Sequence, residues 1–141
     1  MRAVSQHSGI EIIDTDECRR LLAQDEIGRI AVVIGSMPMI LPVNYAVDGD
    51  AIVCRTMPGS RLDVGQGNAA FEVDNFDRVS RTGWSVLVAG QLEEVNQYQA
   101  QDLARIQALP VEPWAGGTRQ LWLRLRPSNI TGRIIRSTAA T

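Results

Sequence analysis

The segment YAVDGDAIVC, residues 45–54, decides the fold class because two apolar runs flank a short turn signal. Asp48-Gly49 is a strong hairpin signal, since both residues accept the backbone angles of a tight turn between antiparallel strands. Two upstream apolar runs, residues 29–34 and 39–45, have the same character. We therefore predict that these segments form an antiparallel meander.

Further patterns extend this prediction along the chain. Pro42 cannot donate to a strand ladder, which indicates an edge, a bulge or a barrel corner. Asp14 and Asn96 are predicted to cap two helices, which would end near residues 25–28 and 109. Apolar runs predict strands at 69–73, 84–94, 121–125 and 130–135, with a loop at 74–83 and a break at 127–129. Six or seven antiparallel strands and a few helices indicate a mainly β protein, a small β-barrel.

Length and charge restrict the organisation and the partners. The chain has 141 residues, and we predict one domain over residues 14–136 between tails at 1–13 and 137–141. The net charge of −2 argues against nucleic-acid binding, which needs a basic surface. No apolar run is long enough to span a membrane, and residues 1–10 lack the apolar core of a signal peptide. We expect a cytoplasmic protein that binds neither nucleic acid nor membrane.

The residue types that are missing exclude several chemistries. All 14 basic residues are arginine, which removes lysine-based Schiff-base and P-loop chemistry. The single histidine, His7, is predicted to lie in the solvated N-terminal tail, and we expect no metal site. Cys18 and Cys54 have apolar neighbours and are predicted to be buried free thiols. If the protein is an enzyme, a bound cofactor must carry the chemistry.

The segment RTMPGSRL, residues 55–62, is the clearest candidate site. A strand ends at Arg55-Thr56, turns through Pro58-Gly59 and enters a helix at Ser60-Arg61. The hydroxyl group, the guanidinium groups and the helix amides suit an anion such as phosphate. The alternative interpretation is a capped helix with solvated arginines.

The order of several motifs resembles that of the pyridoxamine 5′-phosphate oxidase-like, FMN-binding split-barrel family, in a branch of small bacterial, actinobacterial-type proteins. The matching stretches run from Glu17 to Arg133. They are Glu17-Cys18 with Leu21-Leu22, Ile27-Gly28-Arg29-Ile30-Ala31, Pro42-Val43-Asn44-Tyr45, Arg55-Thr56 with Gly59-Ser60-Arg61-Leu62, Phe71-Glu72-Val73-Asp74, Gly83-Trp84-Ser85-Val86 with Gly90, and Leu125-Arg126-Pro127 with Ile130-Thr131-Gly132-Arg133.

The resemblance implies a split β-barrel that forms a homodimer with the cofactor at the interface. FMN is the implied cofactor, and a deazaflavin is the alternative. By position, Ser60 and Arg61 match the phosphate grip, and many relatives have lysine in place of Arg61. The other implied cofactor-binding residues are Arg55, Thr56, Pro42, Val43, Asn44, Ser85 and Trp84. The resemblance assigns no catalytic residue.

The implied activity is flavin-dependent oxidoreduction of a small molecule. The alternatives are a deazaflavin-dependent reductase, a flavin-binding or sensing module without turnover, and a dimer without cofactor. True pyridoxamine 5′-phosphate oxidases carry an arginine-and-histidine element near the C-terminus. Residues 121–136 contain no histidine, which argues against vitamin B6 oxidation. Glu72 and Asp74 are expected to pair with arginines, and Trp114 is a further candidate for a wall beside the flavin.

Overall fold

The computed structural model describes residues 3–4, 9–115 and 120–136. His7 and the predicted C-terminal tail at 137–141 lie outside the described residues. The described chain contains nine β-strands and few helices. The strands are β1 (Ala3–Val4), β2 (Ile10–Ile13), β3 (Ile27–Ile34), β4 (Met37–Asn44), β5 (Ala46–Asp48), β6 (Ala51–Thr56), β7 (Gly67–Asp77), β8 (Thr82–Val95) and β9 (Leu121–Ile135).

Three α-helices and one short 3₁₀ helix connect these strands. The α-helices are α1 (Thr15–Leu22), α2 (Arg61–Val64) and α3 (Ala100–Gln107), and the 3₁₀ helix is Gln97–Gln99. Among the described residues, no helix has the length and apolar character that a membrane crossing requires.

All strand pairs are antiparallel and form one sheet in the order β1-β2-β9-β8-β7-β3-β4. The β5–β6 hairpin joins this sheet through β6, which pairs with the first part of β9. The predicted mainly β, antiparallel fold class is therefore confirmed. The strand number exceeds the predicted six or seven because β1, β2 and β5 are short.

Local signals placed several elements correctly. The Asp14 side chain accepts a hydrogen bond of 2.9 Å from the Glu17 N–H and caps α1. Asn96 caps the 3₁₀ helix, as predicted for this residue, through a capping box with Gln99. Pro42 lies in β4, which pairs only with β3 among the described strands and is an edge strand. The β5–β6 hairpin turns at Gly49, whose φ of 60° suits glycine.

Five predictions about the elements are wrong. Helix α1 ends at Leu22, earlier than predicted. Residues 74–77 and 82–83 extend β7 and β8 because their backbones pair with each other, although their side chains are mostly polar. The predicted break at 127–129 is a bulge inside β9, and residues 10–13 of the predicted N-terminal tail are β2. The meander also ends at β4, because β6 pairs with β9.

The bulge lies where β8 and β9 approach each other closely. Gly90 pairs with Pro127 and Ala89 pairs with Asn129, so Ser128 is the extra residue. A Cβ atom on Gly90 would lie 1.8 Å from the Arg126 carbonyl oxygen. Glycine is thus required at position 90 by a backbone contact that no side-chain movement can relieve.

Two apolar clusters form the core. The larger one lies inside the curved sheet under α1 and contains Cys18, Phe71 and both halves of the β3–β4 hairpin. The smaller one lies between α3 and the outer side of β6 and β9; its buried members are Val53, Val95, Ile106, Val111 and Trp122. Both cysteines are buried and free, as predicted, and burial raises the pKa of the Cys54 thiol to about 12.

Arginine side chains fasten α3 to the sheet. Arg105 donates to both carboxylate oxygens of Asp48 at 2.9 and 2.8 Å. Buried Arg124 donates to Asp102 of α3 at 3.1 Å and to Glu93 of β8 at 3.2 Å. Hydrogen bonds from Arg105 lower the pKa of Asp48, and those from Arg124 and Arg105 lower that of Asp102. These ion pairs lie at the edge of the smaller core cluster and hold α3 against the sheet.

The close backbone contact at Gly90 leads to a prediction about the free energy of unfolding. We predict that Gly90→Ala lowers the free energy of unfolding by about 3 kcal/mol, because the new methyl group must separate two paired strands. Gly49→Ala is the matched control: its Cβ would meet open space, and only the positive φ costs about 1 kcal/mol. Urea denaturation followed by circular dichroism measures both losses. Equal losses in the two variants would contradict the close contact.

Candidate functional site

The end of β6 and the start of α2 bring four predicted residues together. Thr56 is buried, and its hydroxyl lies 2.7 Å from that of Ser60. Ser60 caps α2, because its Oγ accepts a 3.2 Å hydrogen bond from the Asp63 N–H. The Asp63 carboxylate in turn accepts the Gly59 N–H at 2.8 Å. The predicted strand–turn–helix is therefore present, and we call residues 55–61 the β6–α2 turn.

The two arginines of the β6–α2 turn have different surroundings. Arg61 is exposed and forms no ion pair with any described residue. Arg55 is half-buried; it donates to the Val111 carbonyl oxygen at 3.2 Å, and its guanidinium lies 4.9 Å from the centre of the Trp122 ring. Arg61 is thus available to solvent, whereas Arg55 supports the segment that follows α3.

The three predicted residues of β4 point in different directions. Val43 is buried in the larger core cluster, and Pro42 is exposed on the opposite face. The Asn44 side-chain oxygen accepts a 2.9 Å hydrogen bond from the Trp114 N–H. The side chains of β4 therefore point into the core, to the exposed side of the sheet and to the segment after α3. The backbone of β4 is exposed along the free edge of the strand.

Trp84 and Ser85 lie on opposite faces of β8. Trp84 packs against the larger core cluster beside α1, whereas Ser85 borders a cavity of about 230 Å³ with Glu72, Leu87 and Arg133. Trp84 pairs with Ile134 and Thr56 pairs with Leu121, which separates them by roughly 40 Å along β9. The structure does not bring Trp84 to the β6–α2 turn within one chain.

A polar cluster lies on the outer face of the sheet. Arg29 forms ion pairs with Glu72 at 3.0 Å and Asp74 at 3.1 Å, as expected for these carboxylates. Burial raises the pKa of Glu72, and the neighbouring Asp74 raises it further. Apolar side chains surround the cluster, and a cavity of about 330 Å³ lies between it and Ile40 and Leu87. We call this surface of β4, β3, β7 and β8 the outer face.

The sequence did not predict which residues are the partners in two contacts of the site, although it predicted an arginine partner for Glu72. Arg29 is separated from Glu72 by 43 residues, and Asn44 is separated from Trp114 by 70. No local pattern in the chain indicates either pair. A signal existed only for Arg29, because an isolated cation within an apolar strand needs a partner when the strand joins a sheet.

The family model for pyridoxamine 5′-phosphate oxidase matches residues 14–134. The chain belongs to the pyridoxamine 5′-phosphate oxidase family. An uncharacterised protein of Mycobacterium tuberculosis is 32% identical over 140 residues, which cover 93% of this chain and 90% of that protein. The predicted family is thus confirmed over nearly the whole chain.

Solved structures of two similar proteins have the same fold. The FAD-binding protein of Mycobacterium smegmatis is 32% identical, with a TM-score of 0.76 over 89% of this chain and 97% of that one. An FAD-binding protein of Mesorhizobium loti, 21% identical, has a TM-score of 0.72 over 89% of this chain and 97% of its own. At 21% identity the second likeness concerns the fold alone. The split-barrel prediction is confirmed.

The polar cluster of the outer face leads to a prediction about how thermal stability depends on pH. Because the pKa of Glu72 is raised in the folded state, its ionised form destabilises the fold at pH values above that pKa. We predict that Glu72→Gln raises Tm at pH 7.5 by about 1–2 °C. The gain disappears below the ordinary glutamate pKa of about 4.5, where the wild-type side chain is protonated in both states.

Thermal denaturation at pH 7.5 and pH 4 checks this prediction, with the exposed Glu112→Gln as control. A Glu72→Gln variant that is less stable than wild type at pH 7.5 would show that the ion pair with Arg29 outweighs the cost of burial.

Proposed function

We propose that this family member binds a flavin, FMN, at the β6–α2 turn and uses it as an oxidoreductase on a small molecule. The observation that carries the proposal is the 32% identity to the FAD-binding protein of M. smegmatis over 89% of this chain. FAD contains the whole of FMN, so a site for the FMN part serves either cofactor. The experiments below therefore include both.

The residues of the β6–α2 turn fit a phosphate group. Arg61 offers an exposed guanidinium without an ion-pair partner among the described residues, and guanidinium forks suit phosphate oxygens. The hydroxyls of Ser60 and Thr56 lie beside each other and can donate. The Asp63 carboxylate already accepts the Gly59 N–H, so side chains and not this amide would hold the anion.

The free edge of β4 fits the polar rim of a planar ring. Among the described strands β4 has a neighbour on one side only, so backbone groups on its other side lack ladder partners. Pro42 removes one N–H donor, which leaves an uneven pattern of donors and acceptors from Ile40 to Asn44. Such an edge can hydrogen-bond a ring that carries both donors and acceptors.

The bound flavin supplies hydride transfer. The predicted cofactor-binding residues contribute orientation and exclusion of water, since none of them is a histidine, cysteine, aspartate or glutamate that could act as a general acid or base. A proton needed by the reaction then comes from substrate or solvent. The same residue set also serves a flavin-binding module without turnover, so binding and turnover are measured separately.

We also propose that two copies associate through the outer face. Ile40 is 70% exposed there, and Val33 and Leu87 are exposed beside it. Burial of apolar side chains drives most protein association, and an exposed apolar patch marks such a surface. In a homodimer, Ser85 and Pro42 of both copies would lie in one interface. They would then be near residues of the other copy that are distant from them within a single chain.

Flavin retention tests the cofactor proposal. Purified protein is mixed with FMN or FAD, freed of unbound ligand by gel filtration, and measured by flavin absorbance. We predict retention by wild type and at least about tenfold weaker binding in Arg61→Ala. Ser60→Asp keeps an N-cap residue but repels phosphate, and it is predicted to lose binding as well. Arg78→Ala, an exposed arginine in the turn between β7 and β8, is the control.

Three outcomes separate the proposals. Retention with reduction by a nicotinamide donor and reoxidation by a nitro compound or quinone supports the enzyme. Retention without turnover supports the binding module and overturns the oxidoreductase. If neither flavin is retained, the same experiment with a deazaflavin decides between that alternative and a dimer without cofactor.

Analytical ultracentrifugation tests the dimer. We predict a dimer for wild type and a 15.5 kDa monomer for Ile40→Glu, because a buried unpaired carboxylate opposes association. Val79→Glu is the matched control, since Val79 is 95% exposed in the turn between β7 and β8. Loss of the dimer in both variants, or in neither, would refute association through the outer face.

A further inference from the structure

Two adjoining cavities lie along the segment that follows α3. Their volumes are about 610 and 400 Å³, and both are lined by Glu26, Tyr45 and Pro110. The first extends along the end of α1 and the start of β5. The second opens beside Trp114 and is also lined by Asn44, Glu112 and Pro113. Together they form one groove, which we call the Trp114 groove.

The walls of the Trp114 groove carry negative charge. Asp25, Glu26 and Glu112 line it, and none of the described arginines lines either cavity. Glu26 and Glu112 form no ion pair with any described residue. Most other described carboxylates are paired with arginine, whereas the charges of Glu26 and Glu112 are not compensated by any described residue. The groove therefore favours a cation and repels phosphate.

Trp114 is an aromatic wall held at a fixed place. Its side chain is 71% exposed, although tryptophan has a large apolar surface to bury. Its backbone N–H donates to Asn44, and the Val111 carbonyl accepts from Arg55, so the segment is tied to β4 and β6 at two points three residues apart. Pro110 and Pro113 restrict the backbone between and beside these ties. The indole is thus presented to the groove by a stiff support.

We infer that the Trp114 groove binds a flat organic cation, with its ring against the indole of Trp114 and its charge near Glu26 and Glu112. An aromatic face and carboxylates attract the same positive group, and their effects add in a concave site. The cavity of about 400 Å³ has room for a single substituted ring. Asn44 and Trp114 are also candidate flavin residues, whereas Glu26, Glu112 and the prolines of the groove are not. The inference needs no bound flavin, and competition with FMN tests whether the two sites are distinct.

Three probes of nearly one shape test the inference. 1-Methylnicotinamide is a cation, nicotinamide is neutral, and nicotinate is an anion. Isothermal titration calorimetry on the full chain at low salt is predicted to give binding of the cation, at least about tenfold weaker binding of the neutral ring, and none of the anion. Added salt weakens the binding of the cation, because it screens the carboxylates.

Variants locate the binding. Trp114→Ala and Glu112→Gln are each predicted to weaken the cation at least about fivefold. Both side chains are exposed, so circular dichroism should show an unchanged fold. Tyr98→Ala is the matched control, because Tyr98 is an aromatic side chain that is 87% exposed elsewhere on the surface. Equal affinity for the three probes, or an unchanged affinity in Trp114→Ala, would overturn the inference.

The titration is repeated with saturating FMN. Unchanged affinity for 1-methylnicotinamide supports a separate groove, whereas displacement by FMN assigns the cavity to the flavin and overturns it. Flavin retention is measured independently by absorbance. A protein that binds the cation but no flavin would refute the proposed function and leave this inference in place.

Discussion

The structure depends on the pairing of β9 with strands on both of its edges. One edge pairs with β8 along almost its entire length. The other edge is divided, because its first part pairs with β6 and its last part with β2. A single strand of 15 residues thus joins the β5–β6 hairpin, the N-terminal strands and the central sheet. The bulge at Gly90 gives β8 and β9 the local bend that so long a pair requires.

This arrangement decides where the candidate site lies. Thr56 pairs with Leu121 at the start of β9, so the β6–α2 turn is held at one end of the long pair. The edge strand β4 reaches the same region by another path, through β3, β7 and β8. The segment after α3 bridges the two, because Arg55 and Asn44 each hold one of its backbone groups. Residues from three distant parts of the chain are thereby fixed relative to one another.

Features with a local cause could be predicted from the sequence. The caps at Asp14 and Asn96, the hairpin at Asp48-Gly49 and the edge position of Pro42 depend on residues within a few positions of each other. Non-local pairing could not be predicted. Residues 74–77 are mostly polar and belong to a strand only because β8 pairs with them. Ser128 is a bulge because its neighbours Pro127 and Asn129 pair with the adjacent residues Gly90 and Ala89.

The same division holds for the site. The β6–α2 turn is local, and its Ser60 cap is visible in the sequence. The separation of Trp84 from that turn, the use of Arg55 to support Val111 and the contact of Asn44 with Trp114 depend on tertiary structure. The position of a residue in a family motif shows which strand carries it. Only the structure shows on which face of that strand, and at which end of the sheet, the residue lies.

The divided pairing of β9 also has a consequence during synthesis. Every strand that β9 joins precedes it in the chain, so β2, β6 and β8 leave the ribosome with one edge unpaired. Until β9 has been synthesised, these edges have no ladder partner, and unpaired strand edges favour association with other chains. We therefore expect closure of the sheet to be a late step of folding, because it depends on β9 and on contacts between residues far apart in the chain.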